Sequence, residues 1–264
     1  MTDSPAVPAR TLPLPSGAAL PVLGVGTWQL SGPAATSAVA RALQLGYRHV
    51  DTATLYDNEA EVGAGLRAGG VPRDEVFVTT KLPPERAGRE RETLEQSLAA
   101  LGVDAVDLWL VHWPPPAEQG LDVWRAFVAA REEGLVRDAG VSNYSLAQLD
   151  ELADATGVMP AVNQISWSVH RFDAALLEGH RERGVVVEGY SGLKRGTMDE
   201  PVVQEIADRL GRSPAQVLLR WQLDHDVVAI PKSSDPARLA ANADLDTLIL
   251  RAEDRVRLDS LAAR

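Results

Sequence analysis

Three segments of the sequence predict its architecture: YRHVD (47–51), VFVTTK (76–81) and VDLWLVH (106–112). Each is an apolar run, typical of a buried strand, that ends in a polar residue: Asp51, Lys81 or His112. These polar residues follow one another at intervals of about thirty residues, the length of one strand plus one returning helix. The spacing predicts an α/β fold, a (β/α)8 TIM barrel whose functional residues lie on one rim.

Four later strand ends repeat the pattern. Each is a polar residue directly after an apolar or small-residue stretch: Asn143 after GVS, Gln164 after PAVN, Tyr190 after VVVEG and Lys232 after VVAIP. The strands are apolar on both faces, as expected for parallel strands covered by helices. Strands and amphipathic segments alternate without a linker, which favours a single barrel domain over residues 11–264.

The N-terminal part differs from the rest. Residues 1–10 contain two prolines and no long apolar run, and we expect them to be disordered. The pair Ser16-Gly17 between two short apolar stretches predicts a β-hairpin ahead of the barrel.

The outer helices can be predicted from spacing and capping signals. Leu94, Leu98 and Leu101 recur at helical intervals and predict a helix packed on the sheet. Helices are expected to begin at the Ser213-Pro214 and Asp235-Pro236 pairs, where a capping residue precedes proline. The stretch GAGLRA (63–68) matches GxGxxA, but it follows the acidic NEAEV and no strand. We therefore interpret it as a small-residue helix face and not as a dinucleotide-binding loop.

Composition excludes several classes of function. The chain has 264 residues and a formal net charge of −11, with a pI near 4.9, which argues against a nucleic-acid partner. It has no apolar run of the roughly 20 residues that span a bilayer, and no signal peptide, so we expect a cytoplasmic protein without a membrane partner. It has no cysteine, which excludes disulfides and cysteine-ligated metal.

The first three strand ends can converge with a tyrosine. Residues two apart in a strand share a face, so Tyr47, His49 and Asp51 are expected to point the same way, with Asp51 nearest the rim. Neighbouring strands lie about 5 Å apart, which brings Lys81 and His112 close to Asp51. Tyr56 follows five residues after Asp51 and can return from the loop to join them.

These four side chains suit proton transfer to a carbonyl oxygen. A tyrosine that donates a proton at neutral pH benefits from a cation that stabilises its anion, and Lys81 can supply that charge. Asp51 would keep Lys81 charged and oriented, while His112 would donate a neutral N–H to the same oxygen. His49 is expected to be a buried residue of the barrel's second layer. His170, His180 and His225 lack ligand spacing, so no metal site is predicted.

Two other functions remain open at this point. A barrel glycosidase would use Asp51 and Glu188 as its two carboxylates, which must lie roughly 5 to 9 Å apart across the scissile bond. A cofactor-binding sensor could use the same scaffold without turnover.

The chain closely resembles the aldo-keto reductase family, and the small bacterial 2,5-diketo-D-gluconate reductases within it, over nearly its whole length. The matching segments are GVGTW (24–28), GYRHVDTATLYDNE (46–59), TTKL (79–82), LVHWP (110–114), GVSNY (140–144), AVNQI (161–165), GYSGL (189–193) and IPKSS (230–234). The resemblance implies reduction of an aldehyde or ketone by hydride from NADPH, with NADH as a second donor. It identifies Asp51, Tyr56, Lys81 and His112 as the catalytic tetrad, with Tyr56 as general acid.

The same resemblance assigns the cofactor and substrate residues. They are Gly26 and Thr27 in the GVGTW motif; Ser142, Asn143 and Gln164 at the nicotinamide carboxamide; Tyr190 against the ring; Ser191 and Leu193 at the pyrophosphate; Lys232, Ser233, Arg238 and Asn242 around the 2′-phosphate and adenine; and Trp28 and Trp113 in the substrate pocket. Two positions depart from the family, since Ala241 replaces a frequent Glu and Asp235 adds a negative charge near Lys232. Family barrels of this size imply a monomer with a small-molecule carbonyl substrate.

Overall fold

The barrel wall consists of eight parallel strands, each paired with the next strand along the chain. The strands of the protein are β1 (Thr11–Pro13), β2 (Ala19–Pro21), β3 (Val25–Gly26), β4 (His49–Asp51), β5 (Phe77–Leu82), β6 (Val106–Val111), β7 (Val136–Ser142), β8 (Val162–Ser166), β9 (Val186–Tyr190) and β10 (Val228–Ala229). The first of the eight, β3, meets the last, β10, through hydrogen bonds from Gly24 N to Ala229 O (2.8 Å) and Gly26 N to Pro231 O (3.1 Å). The computed structural model describes residues 7–263, and within them the predicted (β/α)8 barrel is confirmed.

Helices cover the outside of the barrel. They are α1 (Gly32–Gln44), α2 (Glu59–Ala68), α3 (Glu90–Leu101), α4 (Ala117–Glu132), α5 (Leu146–Thr156), α6 (Ala174–Glu182), α7 (Arg195–Met198), α8 (Pro201–Leu210), α9 (Pro214–Asp224), α10 (Pro236–Ala243) and α11 (Ala252–Asp259). The predicted stripe Leu94, Leu98 and Leu101 is buried on α3, as expected.

Both predicted helix starts are confirmed. Ser213 forms a capping box with Gln216 at the start of α9. Asp235 caps α10, since its carboxylate accepts hydrogen bonds from the backbone N–H groups of Ala237 and Arg238. A carboxylate at this place also complements the positive end of the helix dipole.

The predicted hairpin closes one end of the barrel. Strands β1 and β2 pair antiparallel, and Leu14 and Leu20 join Leu108 and Val162 in the core inside the barrel. The hydroxyl of Ser16 at the hairpin turn donates to the buried Asp138 carboxylate. Because this end and the interior are filled by side chains, only the rim at the carboxyl ends of the strands remains open for function.

One expectation about side-chain direction is wrong. Tyr47 precedes β4 and lies in the core between the sheet and the helices, where its hydroxyl donates to Leu239 O of α10 (3.0 Å). His49 behaves as predicted: it is fully buried, and its ring contacts Phe77 and bonds the hydroxyl of Thr79 at 3.1 Å. The strand alternation therefore holds from His49 to Asp51 but does not extend back to Tyr47.

The interpretation of GAGLRA as a small-residue helix face is confirmed. A Cβ at Gly63 of α2 would lie 2.3 Å from Leu101 O of α3, and a Cβ at Gly65 would lie 2.8 Å from Thr36 O of α1. The two glycines let α2 approach both neighbouring helices closely.

The predicted disordered segment 1–10 falls mostly on residues 1–6, which lie outside the described residues. Residues 7–10 have no regular secondary structure, but Val7 packs on the outer core and Arg10 pairs with Asp226. Among the helices between residues 7 and 263, none combines the length and apolar character needed to cross a membrane. The cytoplasmic location stays a prediction.

Candidate active site

Four polar side chains meet where β4, β5 and β6 end. Lys81 Nζ lies 2.7 Å from both carboxylate oxygens of Asp51 and donates to Thr52 O at 2.8 Å. It also lies 3.4 Å from the hydroxyl of Tyr56, which the 3-10 helix Thr54–Tyr56 carries back over the rim. The Tyr56 ring lies edge-on to His112, with ring centroids 5.7 Å apart.

Lys81 stays charged although it is completely buried. Burial alone lowers the pKa of this ammonium, but its interactions with neighbouring acidic groups, with the charge and hydrogen bonds of Asp51 first, raise it by more, so its pKa lies above the usual lysine value. The buried ion pair therefore places a fixed positive charge directly beneath the Tyr56 hydroxyl.

The other two groups are neutral at physiological pH. Burial raises the pKa of Tyr56, and Lys81 opposes that rise. Burial and the charge of Lys81 lower the pKa of His112 to about 4. The buried Nδ1 of His112 has no hydrogen-bond partner in the described part of the chain, while the ring itself lines the open cavity.

A buried amide links the tetrad to β9. Gln164 Nε2 donates to Asp51 at 2.8 Å and to Glu188 at 2.6 Å. Glu188 is fully buried, and desolvation together with the charge of Asp51 raises its pKa to about 8. Asp51 and Glu188 thus lie beneath the same amide and do not flank a space that a glycosidic bond could occupy.

Residues at the ends of β7 and β9 form a second hydrogen-bond network. Tyr190 donates through its hydroxyl to the Asn143 side-chain oxygen at 2.8 Å. The Asn143 amide nitrogen donates to Ser142 Oγ (2.9 Å) and to His112 O (3.3 Å), and Ser142 in turn donates to Gln164 O (2.8 Å). This network ties the second half of the rim to the strand end that carries His112.

The two sets of residues share one cavity of about 560 Å³. Among the residues that line it are the following sequence-predicted ones: Gly26, Trp28, Asp51, Tyr56, His112, Trp113, Ser142, Asn143, Gln164, Tyr190, Ser191, Leu193 and Lys232. A Cβ at Gly26 would lie 2.7 Å from Ile230 O, so only glycine fits where β3 and the segment after β10 approach each other. The rim is apolar, since Trp28, Leu55 and Trp113 are each about half exposed.

Five predicted residues do not line this cavity. Thr27 is buried and donates to Asp51 O (3.0 Å), and Lys81 lies behind Tyr56. Ser233 is buried and bonded to the backbone of Asp235, while the exposed Arg238 lies 3.7 Å from the Asp235 carboxylate. Asn242 is buried in α10.

Other lining residues were missed by the sequence reasoning, including Gln29, Leu55, Lys194 and Gln222. Gln222 of α9 is almost fully buried, and its side-chain oxygen has no hydrogen-bond partner among residues 7–263. It fits beneath the loop because position 192 is glycine: a Cβ there would lie 2.3 Å from the Gln222 amide nitrogen. Gly192 of the GYSGL motif could have indicated this close approach from the sequence.

Backbone strain is concentrated at the cavity. Gln29, Asn143 and Ser191 all line it and have positive φ angles, of 61°, 65° and 62°. Non-glycine residues seldom adopt this conformation, and those that do are enriched at functional sites. These strained residues therefore lie at the same rim of the barrel as the polar residues at the strand ends.

Comparison with known proteins agrees with this geometry. The sequence model of the aldo/keto reductase family matches residues 22–263 of this chain. Methylglyoxal reductase DkgA of Salmonella typhimurium is 41% identical over 233 residues, covering 87% of this chain and 85% of that protein. The 2,5-diketo-D-gluconic acid reductase B of a Corynebacterium species is 42% identical over 248 residues, covering 92% and 90%.

Solved structures match over the same length. An aldo/keto reductase from Brucella melitensis has a TM-score of 0.92 at 38% identity, covering 97% of this chain and 100% of that chain. A Bombyx mori aldo-keto reductase in complex with NADP has a TM-score of 0.89 at 31% identity, covering 97% and 94%.

Proposed function

The chain belongs to the aldo/keto reductase family and is an oxidoreductase, and we propose that it reduces aldehydes and ketones to alcohols with NADPH, using Tyr56 as the general acid. The observation that carries this proposal is the position of Tyr56, which lines the cavity and has its hydroxyl 3.4 Å from the buried Lys81 ammonium.

The residues of the cavity fit a dinucleotide. Ser142, Asn143 and Gln164 offer hydroxyl and amide groups that suit the nicotinamide carboxamide, and Tyr190 offers an aromatic face. Gln222 supplies a buried side-chain oxygen that has no partner among residues 7–263, beside the Ser191–Lys194 loop, and the Lys194 and Lys232 side chains add positive charge for phosphates. Bound NADPH would supply the hydride for the carbonyl carbon.

Tyr56 delivers the proton that completes the reduction. Transfer from its hydroxyl to the carbonyl oxygen leaves a phenolate, and the Lys81 ammonium stabilises that anion. Asp51 holds the ammonium in place with two 2.7 Å contacts, so the charge does not have to move during the reaction.

His112 contributes a hydrogen bond without competing for the proton. With its pKa lowered to about 4, the imidazole is neutral at the pH of the cell and offers an N–H to the substrate oxygen. A charged imidazolium at this place would repel Lys81.

We propose small carbonyl compounds as the substrate class. The relatives with the names methylglyoxal reductase and 2,5-diketo-D-gluconic acid reductase act on compounds of this kind. The half-exposed Trp28 and Trp113 support a pocket that contacts the apolar part of a carbonyl substrate.

The cofactor preference depends on the segment that follows β10. The exposed Lys232 on the cavity wall supports NADPH, with NADH as the weaker donor. Arg238, placed by the resemblance at the 2′-phosphate, faces the Asp235 carboxylate at 3.7 Å, and this carboxylate would weaken phosphate binding.

A monomer is sufficient for this chemistry, because one chain supplies all four catalytic side chains and the cavity walls. A molar mass of about 28.3 kDa by light scattering is the expected result.

The activity is tested by mixing the purified protein with NADPH and a panel of small aldehydes and ketones while following the nicotinamide absorbance. We expect carbonyl-dependent oxidation of NADPH. Tight NADPH binding without any turnover would instead favour a cofactor-binding sensor on the same barrel.

A further inference from the structure

The Gln164 amide is held between two carboxyl groups. Its nitrogen donates one hydrogen to Asp51 at 2.8 Å and the other to Glu188 at 2.6 Å. Glu188 lies directly opposite Gln164 in the pairing of β9 with β8. Because both N–H groups are used inside the barrel, the side-chain oxygen is the part of the amide that is left to face the cavity.

Glu188 has no cation of its own. Its second oxygen lacks a hydrogen-bond partner in the described part of the chain, and the side chain is fully buried. The nearby Lys81 ammonium is bonded to Asp51 and to Thr52 O. Two carboxylates that share one buried cation cannot both stay ionised at low cost, so the carboxyl without its own cation retains a proton.

We propose that Glu188 is an uncharged carboxylic acid at neutral pH and a positioning residue that orients the Gln164 amide, so that the amide oxygen faces the nicotinamide carboxamide. This inference rests on the proposed NADPH-dependent function. Ionisation of Glu188 would place one extra negative charge beneath the nicotinamide ring.

That charge has a measurable consequence. The oxidised nicotinamide ring is a cation and the reduced ring is neutral, so a negative charge beneath it favours NADP⁺ over NADPH. The 2′-phosphate and pyrophosphate are common to both forms and cancel in the ratio of the two dissociation constants.

The pH range for the measurement lies around the pKa of Glu188 and away from the shifted pKa values of the neighbouring lysine, tyrosine and histidines. Asp51 from β4, Lys81 from β5 and Tyr56 from the 3-10 helix face Glu188. The pKa values of Lys81 and Tyr56 are raised further above their ordinary values, and those of His49 and His112 are lowered to about 4. The pKa of Glu188 is about 8, so it is the group of this cluster that is expected to titrate between pH 6.5 and 9.

The experiment is titration of the wild-type protein and Glu188→Gln with NADPH and with NADP⁺ at pH 6.5 and pH 9, followed by tryptophan fluorescence. In the wild type we expect the ratio Kd(NADPH)/Kd(NADP⁺) to rise about five- to tenfold between the two pH values. In Glu188→Gln, whose amide keeps the shape of the neutral acid, the ratio should stay constant. Asp138→Asn, which changes a buried carboxyl at the closed end of the barrel, should behave like the wild type.

A second variant tests the positioning role. Glu188→Leu removes the acceptor for the Gln164 amide, and we expect its NADPH affinity to fall about five- to tenfold at pH 6.5. A pH-dependent ratio in Glu188→Gln, a constant ratio in the wild type, or unchanged NADPH affinity in Glu188→Leu would each overturn the proposal. If the wild type binds neither NADPH nor NADP⁺, the proposed function itself fails, and the role of Glu188 fails with it.

Discussion

Lys81 Nζ contacts both carboxylate oxygens of Asp51 at 2.7 Å, and neither side chain is more than 2% exposed. A pair this deeply buried has lost its hydration and depends on mutual attraction and on the further bonds to Thr52 and Gln164. The pair therefore fixes a positive charge 3.4 Å from the Tyr56 hydroxyl, and its removal has a structural cost.

Replacing only one partner of the Asp51–Lys81 pair should lower the free energy of unfolding more than replacing both. Lys81→Met leaves Asp51 buried without a cation, and we expect the free energy of unfolding to fall by roughly 3–5 kcal/mol. The double variant Lys81→Met, Asp51→Asn should lose clearly less, because no unpaired charge remains. Urea denaturation of both variants checks the order, and a double variant less stable than the single one would argue against it.

Acid should destabilise the protein well before its carboxylates are fully protonated. Burial lowers the pKa of His49 to about 4, below the ordinary value of 6.5, so the unfolded chain binds this proton more readily than the folded one. The contribution of neutral, buried His49 to the free energy of unfolding is complete above about pH 6.5 and is lost as the pH falls toward 4. The free energy of unfolding then changes by up to about 1.4 kcal/mol per pH unit because of this group. Unfolding free energies at pH 7, 6 and 5 measure it.

Removal of the buried imidazole isolates this effect. His49→Gln should flatten the dependence of stability on pH by up to one proton, because it removes the buried ring whose pKa is lowered. Equal slopes in wild type and His49→Gln would contradict the assignment.

The close packing of α2 predicts opposite effects for two glycine substitutions. Gly63→Ala would drive a Cβ into the backbone of Leu101, and we expect a loss of roughly 1–3 kcal/mol in unfolding free energy. Gly120→Ala in α4 meets no atom within 4 Å and should stabilise the protein by about 0.5–1 kcal/mol. Thermal unfolding distinguishes them, and similar shifts in both would refute the packing argument.

Cofactor preference should respond to charge near the start of α10. Lys232→Ala should raise the KM for NADPH roughly tenfold and that for NADH much less, because only NADPH carries the 2′-phosphate. Equal effects on both cofactors would remove Lys232 from the phosphate site.

Asp235 provides the converse test. Asp235→Asn keeps a good helix cap but removes the carboxylate that faces Arg238. We expect the KM for NADPH to fall about two- to fivefold with little change in thermal stability, an effect of the size of an exposed charge interaction. An unchanged NADPH KM would mean that this carboxylate lies away from the bound phosphate.

The strand ends were predictable because burial and function demand different residue types there. An apolar run followed by Asp51, Lys81 or His112 can be read from one sequence, and the structure brings these residues together. Tyr47 was predicted wrongly because the strand begins only at His49. Gln222 and Lys194 were missed because their place in the cavity depends on how α9 and the loop after β9 pack, which local spacing does not determine.

The rate of NADPH oxidation by Tyr56→Phe tests whether Tyr56 is the general acid. We predict that kcat with an aldehyde falls about 10²- to 10⁴-fold while the Kd for NADPH stays within about twofold of the wild type. Tyr47→Phe makes the same chemical change outside the barrel, where the hydroxyl bonds Leu239 O, and should keep wild-type turnover. Wild-type turnover by Tyr56→Phe would contradict the account.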